Sequence, residues 1–506
     1  MTRMRQAGAL AFCLLGSLAA SAANRFDDVR TFIRSGLVEY SVPSITVAVA
    51  HNGEVVWEEG FGWADREKRM PATAHTAYLI ASVSKPLTAT GIMTLVQAGK
   101  IDLDAPANNY LGAAKLRARV GDAKDATVRR LASHSSGLPT HNNLFYADEP
   151  TKPLSREDAI LRYGNIVTPP GEHFVYSNIG FGTLESIVEH VSGLSFADYM
   201  RHAVFLPLGM TNTTVGPGPG MEAITAARYF TRTSQPIPAL TIDTLGAGGV
   251  FSSAHDLMRF GQFQLKAHLR DQKAIMSDAR IDEMHSPVAR VGAGFSRARA
   301  HTSNYGLGFN LGERNGYRVV SHSGGLPGVS AQLRMVPDEG LVIVVLSNYS
   351  SSLTEQVADR IAMKLLPKWR LEKDYGYPSP PTPVVKFDTP RELLGHWQGE
   401  LSTPEGNKPL ELRFLPSGEV HVRLDDQLVM LANQPKFQDG EFSCELPIRI
   451  DTPDLGPHEY SVGLSLHLRG ETLNGAALAS GRAGASVRQR PALSYWVEVK
   501  RQADAS

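Results

Sequence analysis

Apolar residues at helical spacing, Val29, Phe32, Ile33 and Leu37, predict a helix between Phe26 and Val42. Two alternating runs follow, Ile45-Val47-Val49 and Val55-Trp57. Asn52-Gly53 between them supplies the positive backbone angles of a tight hairpin turn. From about residue 82 to residue 300 the pattern is one of helices and Gly/Pro-rich loops, with Ser253 and Asp256 spaced as a helix cap and its third residue. Strand character returns at Tyr317–Ser321, Val329–Met335 and Leu341–Leu346. The last run is nearly continuous aliphatic, as expected of a strand covered on both faces. A helix from Leu353 to about Leu366 closes this region, which reads as one α/β unit with a split sheet.

Pro378, Pro380, Pro381, Pro383 and Pro390 then mark a semi-rigid linker. Beyond it the period becomes two, in Leu410-Leu412-Phe414, Val420-Val422-Leu424 and Tyr460-Val462-Leu464-Leu466-Leu468, with turn residues such as Pro416-Ser417-Gly418 between runs. That is the signature of a separate all-β, barrel-like domain. The expected organisation is a leader over residues 1–22, an α/β domain over 23–370, a linker over 371–387 and an all-β domain over 388–506.

The leader follows from Arg3 and Arg5, an apolar run from Ala7 to Ala20, and the small residues Ala20-Ser21-Ala22 where a signal peptidase reads. The run is too short to span a bilayer, and no comparable run follows, so the mature chain is expected to be periplasmic or extracellular without a stable membrane span. Cleavage there would leave Cys444 as the remaining cysteine, and hence no internal disulfide. The 51 basic and 51 acidic side chains balance, which removes the electrostatic footprint of a nucleic-acid binder.

Three segments carry chemistry. Ser82-Val83-Ser84-Lys85 opens a helical stretch, and residues three apart share a helix face, so the Lys85 amine can lie under the Ser82 hydroxyl. A serine hydroxyl becomes a nucleophile when a neighbouring base takes its proton. Alone the tetrad is weak, since its composition recurs by chance about twice in a chain of this length. Tyr176-Ser177-Asn178 offers a phenol that can carry a proton beside a cation, and an amide that can hold a substrate carbonyl or orient Lys85; a plain surface loop after Pro169-Pro170-Gly171 is the alternative. His322-Ser323-Gly324-Gly325 follows one strand and precedes another. Small residues there let a substrate backbone lie alongside the sheet, and the Gly325 N–H could join the Ser82 N–H in an oxyanion hole, unless the segment is simply a Gly-rich turn.

Together and in this order, these segments resemble the serine β-lactamase and penicillin-binding-protein superfamily in its class C branch. Further matches are Leu131-Ala132-Ser133-His134-Ser135-Ser136-Gly137-Leu138, Pro207-Leu208-Gly209-Met210, Gly248-Gly249-Val250-Phe251-Ser252-Ser253 and Tyr305-Gly306-Leu307-Gly308-Phe309. The resemblance covers about residues 28–366. It implies an antiparallel sheet flanked by N- and C-terminal helices with a large, mostly helical insertion. It also implies Ser82 as nucleophile, Lys85 and Tyr176 as the proton-transfer pair, and Asn178, His322, Ser323 and Gly325 against the substrate. Where many relatives carry Lys-Thr-Gly, this chain has His322-Ser323-Gly324; a histidine is only partly charged near neutrality, so carboxylate binding and β-lactam hydrolysis are expected to be weaker. The C-terminal region resembles the lipocalin-like appendages of some members, with Gly395-His396-Trp397 as a short entry signature and Trp397 expected in the core.

No G-x-S-x-G elbow, H-E-x-x-H motif or paired cysteines occur, so the reading invokes no metal and no cofactor. His134 reads as a structural hydrogen bonder, His255 as a helix-surface residue, and Asp243 receives no role. The expected activity is hydrolysis of an amide or ester through a Ser82 acyl-enzyme. The expected substrate is a small molecule or a peptide such as a D-amino-acid peptide of cell-wall origin. Two other classes stand beside it: a penicillin-binding or peptidoglycan-sensing protein that acylates without efficient turnover, and a small-ligand carrier built on the barrel.

Overall fold

In the computed structural model, residues 25–503 are described apart from 219, 232, 293–301, 372–385, 456–459, 482–487 and 489–490. The leader and nearly all of the Pro-rich linker expected from the sequence lie outside the described residues.

The first helix, α1 (Asp27–Glu39), leads into β1 (Ser44–His51) and β2 (Glu54–Asp65). Asn52 and Gly53 turn between these strands with φ of 53° and 82°, and β3 (Met70–Pro71) pairs with the far end of β2. The chain then enters α2 (Ser84–Gln97) and a long insertion that includes α3 (Arg156–Tyr163), α4 (Asn178–Ser192), α5 (Leu245–Gly248) and α6 (Ala254–Gln264). It returns to the sheet through β4 (Ala289–Arg290), β5 (Thr302–Tyr305), β6 (Asn310–Arg314), β7 (Tyr317–Leu326), β8 (Val329–Val336) and β9 (Leu341–Ser347), and closes with α7 (Leu353–Leu365). The sheet order is β4-β5-β6-β7-β8-β9-β1-β2-β3, so the N-terminal hairpin docks antiparallel onto the last strand, β9.

Both faces of the central strands are covered. Val47, Val49, Ile343 and Val345 pack with Val29, Ile33, Val357 and Ile361 of α1 and α7. Their alternates Ala48, Ala50, Val342 and Val344 pack with Leu87, Leu257 and Phe260 of α2 and α6. This explains the unbroken aliphatic run in β9, every residue of which is buried. A buried Asp359 on α7 accepts from Arg314 at 2.7 and 2.8 Å and from Arg334 at 2.5 Å, which ties the closing helix to β6 and β8. The two guanidiniums hold that carboxyl below its ordinary value against the opposing effect of burial.

The C-terminal strands are β10 (Gly395–Thr403), β11 (Gly406–Phe414), β12 (Val420–Leu424), β13 (Met430–Leu431), β14 (Asn433–Gln438), β15 (Glu441–Leu446), β16 (Tyr460–Arg469), β17 (Thr472–Gly481) and β18 (Ala492–Arg501). Their order is β13-β12-β11-β10-β18-β17-β16-β15-β14. The two end strands are consecutive in the chain with only Ala432 between them, so the sheet curls into a nearly closed barrel. Period-two residues fill its inside: Trp397, Leu412, Phe414, Val422, Phe442 and Val499 are all buried. Trp397 donates to the Leu393 carbonyl at 2.8 Å, so its indole N–H is satisfied inside the core. Cys444 is buried and unpaired. No helix among the described residues is long and apolar enough to cross a membrane.

Candidate active site

Ser82 sits in a 3-10 turn, Ala81–Val83, that runs directly into α2. Ala81 is held at φ 48°, a left-handed angle that costs an L-residue roughly 1–2 kcal/mol. The turn is pinned by its neighbours: the Ile80 N–H donates to the Val250 carbonyl at 3.0 Å, and the Val250 N–H donates to the Ser84 hydroxyl at 3.0 Å. Lys85, one helical turn on, has 0% exposure. Its Nζ lies 3.1 Å from the Ser82 Oγ and donates to the Ala247 carbonyl at 2.8 Å.

The rings of Tyr176 and Phe181 stand 4.7 and 5.5 Å from that amine. Tyr176 is held by the backbone on either side of it. The Val175 N–H donates to the His134 carbonyl at 2.8 Å, and the Ser177 N–H to the His134 Nδ1 at 3.1 Å. His134 itself turns at φ 59° and packs its ring 4.3 Å from that of Tyr176. It therefore positions the phenol, in keeping with its reading as a structural hydrogen bonder. Asn178 is the first residue of α4, behind the Ser177 cap, and lies three residues before Phe181 on the face that meets Lys85.

His322, Ser323 and Gly325 lie inside β7, whereas the sequence pattern placed them after the end of a strand. The reason is one-sided pairing. On one edge β8 pairs along the whole segment, with Ser323 opposite Gln332 and Gly325 opposite Ser330. On the other edge β6 stops opposite Ser321. The stretch from His322 onward thus has a strand edge free of β6, and the Ser82 turn comes up against it. A Cβ on Gly324 would fall 2.1 Å from the Ile80 carbonyl oxygen and 3.2 Å from the Ser82 nitrogen, so glycine is what lets strand and turn approach. At Gly325 the corresponding position is open.

His322, expected against the substrate in place of the lysine that many relatives carry, has a wholly buried ring. Its Nδ1 donates to the Ser323 carbonyl at 2.7 Å, and its Nε2 lies 3.0 Å from the Tyr305 hydroxyl. In the neutral ring this makes Nε2 the acceptor. The ring stands 6.4 Å from that of Tyr176, so His322 forms the wall behind the phenol.

Several supports escaped the sequence reading. α5, which presents the Ala247 carbonyl to Lys85, is itself held from below: the Thr88 hydroxyl donates to the Gly246 carbonyl at 2.7 Å, and the Gly246 N–H donates to Glu185 at 2.8 Å. Burial pushes the Glu185 carboxyl up to about 8, against the opposing pull of Arg156. Asp243, left without a role, is fully buried against His141 with Oδ2 and Nε2 2.7 Å apart. His255, expected on a helix surface, pairs with Glu58 at 2.7 Å and packs its ring 4.6 Å from that of His75. Glu58, His75 and His255 bring their ligand atoms within 4.8 Å of one another, a set that could hold a metal ion although the sequence reading named none. None of these pairs has a short sequence spacing, so no local pattern marks them.

Comparison with known proteins bears on this arrangement. The family model described as Beta-lactamase matches residues 29–368. Penicillin-binding protein 4* of Bacillus subtilis is 30% identical over 332 residues, which cover 60% of this chain and about two thirds (67%) of that protein. Among solved structures, a class C beta-lactamase aligns at 21% identity with a TM-score of 0.57, covering 70% of this chain and 98% of its own. The octameric penicillin-binding protein homologue from Pyrococcus abyssi aligns at 23% identity with a TM-score of 0.58, covering 92% of this chain and 99% of its own. The second alignment takes in 92% of this chain against 70% for the first, so its likeness in fold runs past the α/β unit.

Proposed function

The chain belongs to the Beta-lactamase family, and from that premise we propose that it is an exported serine hydrolase acting on an amide or ester, with Ser82 as nucleophile and Lys85 and Tyr176 as the proton-transfer pair. The observation that carries the proposal is the placement of the Lys85 Nζ, 3.1 Å from the Ser82 Oγ and 4.7 Å from the Tyr176 ring. In the first half-reaction Oγ attacks the substrate carbonyl and its proton passes to the Lys85/Tyr176 pair. The pair returns that proton to the departing amine or alcohol as the carbonyl–heteroatom bond breaks. Water then adds to the acyl-serine, Oγ regains a proton, and the acid leaves. The strand edge from His322 to Gly325, which β6 does not reach, supports a substrate backbone laid alongside β7, with the Ser82 and Gly325 N–H groups on the developing oxyanion. Asn178 and Ser323 flank the reacting bond.

The preferred substrate class is a peptide ending in D-amino acids or a related ester, with β-lactam turnover weaker because His322 is buried and turned inward. Export is part of the proposal and rests on the leader pattern in residues 1–22. The test is a screen of the protein and Ser82→Ala on nitrocefin, a p-nitrophenyl ester, a D-alanyl-D-alanine peptide and D-amino-acid amides. Turnover of at least one, reduced by about four orders of magnitude or more in the variant, is expected. Stable acylation by penicillin with no turnover of any substrate would favour a sensor instead, and activity that survives the substitution would assign another nucleophile.

A further inference from the structure

We infer that the outer face of the C-terminal barrel forms the far wall of the leaving-group site, and that the enzyme takes amides or esters whose departing amine or alcohol carries a bulky, chiefly apolar arm. The inference rests on the hydrolase reading above and adds the part of the substrate that decides specificity.

A cavity of about 780 Å³ opens between the two domains, within the range of roughly 300–1,000 Å³ that encloses a drug-sized ligand. Its near wall comes from the α/β domain: Val167, Phe174 and Val175, with Val291 beyond the short strand β4. Its far wall comes from β16 and β17: Gly463, Ser465, His467, Ala476 and Leu478. The alternation of these strands sends Val462, Leu466, Ala477 and Ala479 into the barrel core. Apart from Leu464 and Gly475, which share the inward parity, the pocket residues on the same strands are the barrel's outward set, and most of them are small.

The near wall begins one residue from the proposed proton carrier. Val175 and Phe174 directly precede Tyr176, and Thr140, another lining residue, donates its hydroxyl to the Tyr176 carbonyl at 3.1 Å. Phe174 sets its ring 5.7 Å from those of both His134 and Tyr305, the residues that flank Tyr176 and His322. A phenol that returns a proton to the departing heteroatom has the leaving group on its own side, so the space beyond Val175 is where that group extends.

The barrel is fastened at this spot. Asn142 and Ala492 exchange backbone hydrogen bonds at 2.8 and 2.7 Å, and Ser494, a pocket residue, donates to the Thr140 carbonyl. His173 and His467 stack across the gap at 5.0 Å, and Arg469 pairs with Glu172 at 3.4 Å. The far wall is therefore a fixed surface with a defined distance to the Tyr176 loop.

The experiment fills the far wall in the full-length protein. Gly463 suits it, because a Cβ there meets nothing nearer than the Cys444 carbonyl at 4.0 Å. Gly463→Phe and, independently, Ala476→Trp are assayed on phenyl acetate against 4-biphenylyl acetate, and on D-alanyl-D-alanine against D-alanyl-D-phenylalanine. A third series enlarges the acyl part of a phenyl ester from acetate to octanoate. In the class that the protein turns over, both variants are expected to lower the large-to-small ratio of kcat/KM for the leaving group by about tenfold or more, and to leave the acyl-length ratio within about twofold. Equal loss on small and large leaving groups, or loss that follows acyl length alone, would overturn the inference. Ser82→Ala run alongside separates the two readings: if that variant keeps its activity the assignment of Ser82 as nucleophile fails, whereas an inactive Ser82→Ala with unchanged ratios in both wall variants removes only the barrel wall.

Discussion

The two sheets of this protein treat their strands in opposite ways. In the α/β domain, β7 pairs fully with β8 but leaves the edge from His322 onward free of β6, and Gly324 lets the Ser82 turn press against it. In the barrel, β10, β11 and β15 to β18 are each paired on both sides, and the inward positions are filled by buried apolar side chains. The first sheet sets the proposed reactive site against an edge that β6 leaves unfinished. Among the described residues the second fills its inside with apolar side chains, which leaves its outside to face a substrate. The difference argues against a carrier built round the barrel interior, and it makes the seam between the domains the place where both contribute.

The comparison can be broken most severely at the reactive edge. Lys85→Met keeps the length and removes the amine, and should lower kcat by on the order of 10⁴-fold with little change in secondary structure by circular dichroism. Gly324→Ala puts a methyl 2.1 Å from the Ile80 carbonyl oxygen. It should separate strand from turn, lowering kcat/KM by about 10²-fold and stability by about 1–3 kcal/mol in urea titrations. The barrel should answer differently. Trp397→Ala empties a fully buried site and should cost about 3–5 kcal/mol, read as loss of the barrel's unfolding transition before any loss of phenyl-ester hydrolysis.

Smaller effects sharpen the seam. Tyr163 on α3 donates to Asp454 at 2.5 Å, and Arg162 joins the same carboxylate at 2.8 Å. Tyr163→Phe should weaken the joint by about 1.5–3 kcal/mol and bring the unfolding of the two domains further apart on a denaturant curve. The smallest expected change is in acid. The carboxyl of Asp359 is depressed by Arg314 and Arg334, so its contribution to stability is complete above the usual carboxylate value near ~3.9 and is lost as the pH falls through its lower folded value. Urea midpoints measured between neutral pH and pH 2 should fall towards acid, with a shallower slope in Asp359→Asn.

Much of this was legible in the chain because it is written at short spacing. Ser82 and Lys85 are one helical turn apart, Asn52-Gly53 has few folds open to it besides a hairpin turn, and the unbroken aliphatic run of β9 requires cover on both faces. What escaped depends on partners far apart in sequence. Nothing local to His141 announces Asp243, and nothing in Gly246-Ala247 announces that its carbonyls face Thr88 and Lys85. His322 was expected against the substrate because it stands where many relatives carry the lysine of Lys-Thr-Gly; the Tyr305 hydroxyl beside its ring arrives from β5, two strands away in the sheet. The outer face of β16 and β17 was silent for another reason. Small and polar outward residues look the same whether they face water or a second domain.

The account depends most on Ser82 as the atom that becomes acylated. Rapid acid quench of a reaction under turnover, followed by proteolysis and peptide mass mapping, reads this directly. The acyl mass is predicted on the peptide that holds Ser82, absent from Ser82→Ala and formed far more slowly in Lys85→Met. An acyl group on any other residue, or the same adduct in Ser82→Ala, would contradict it.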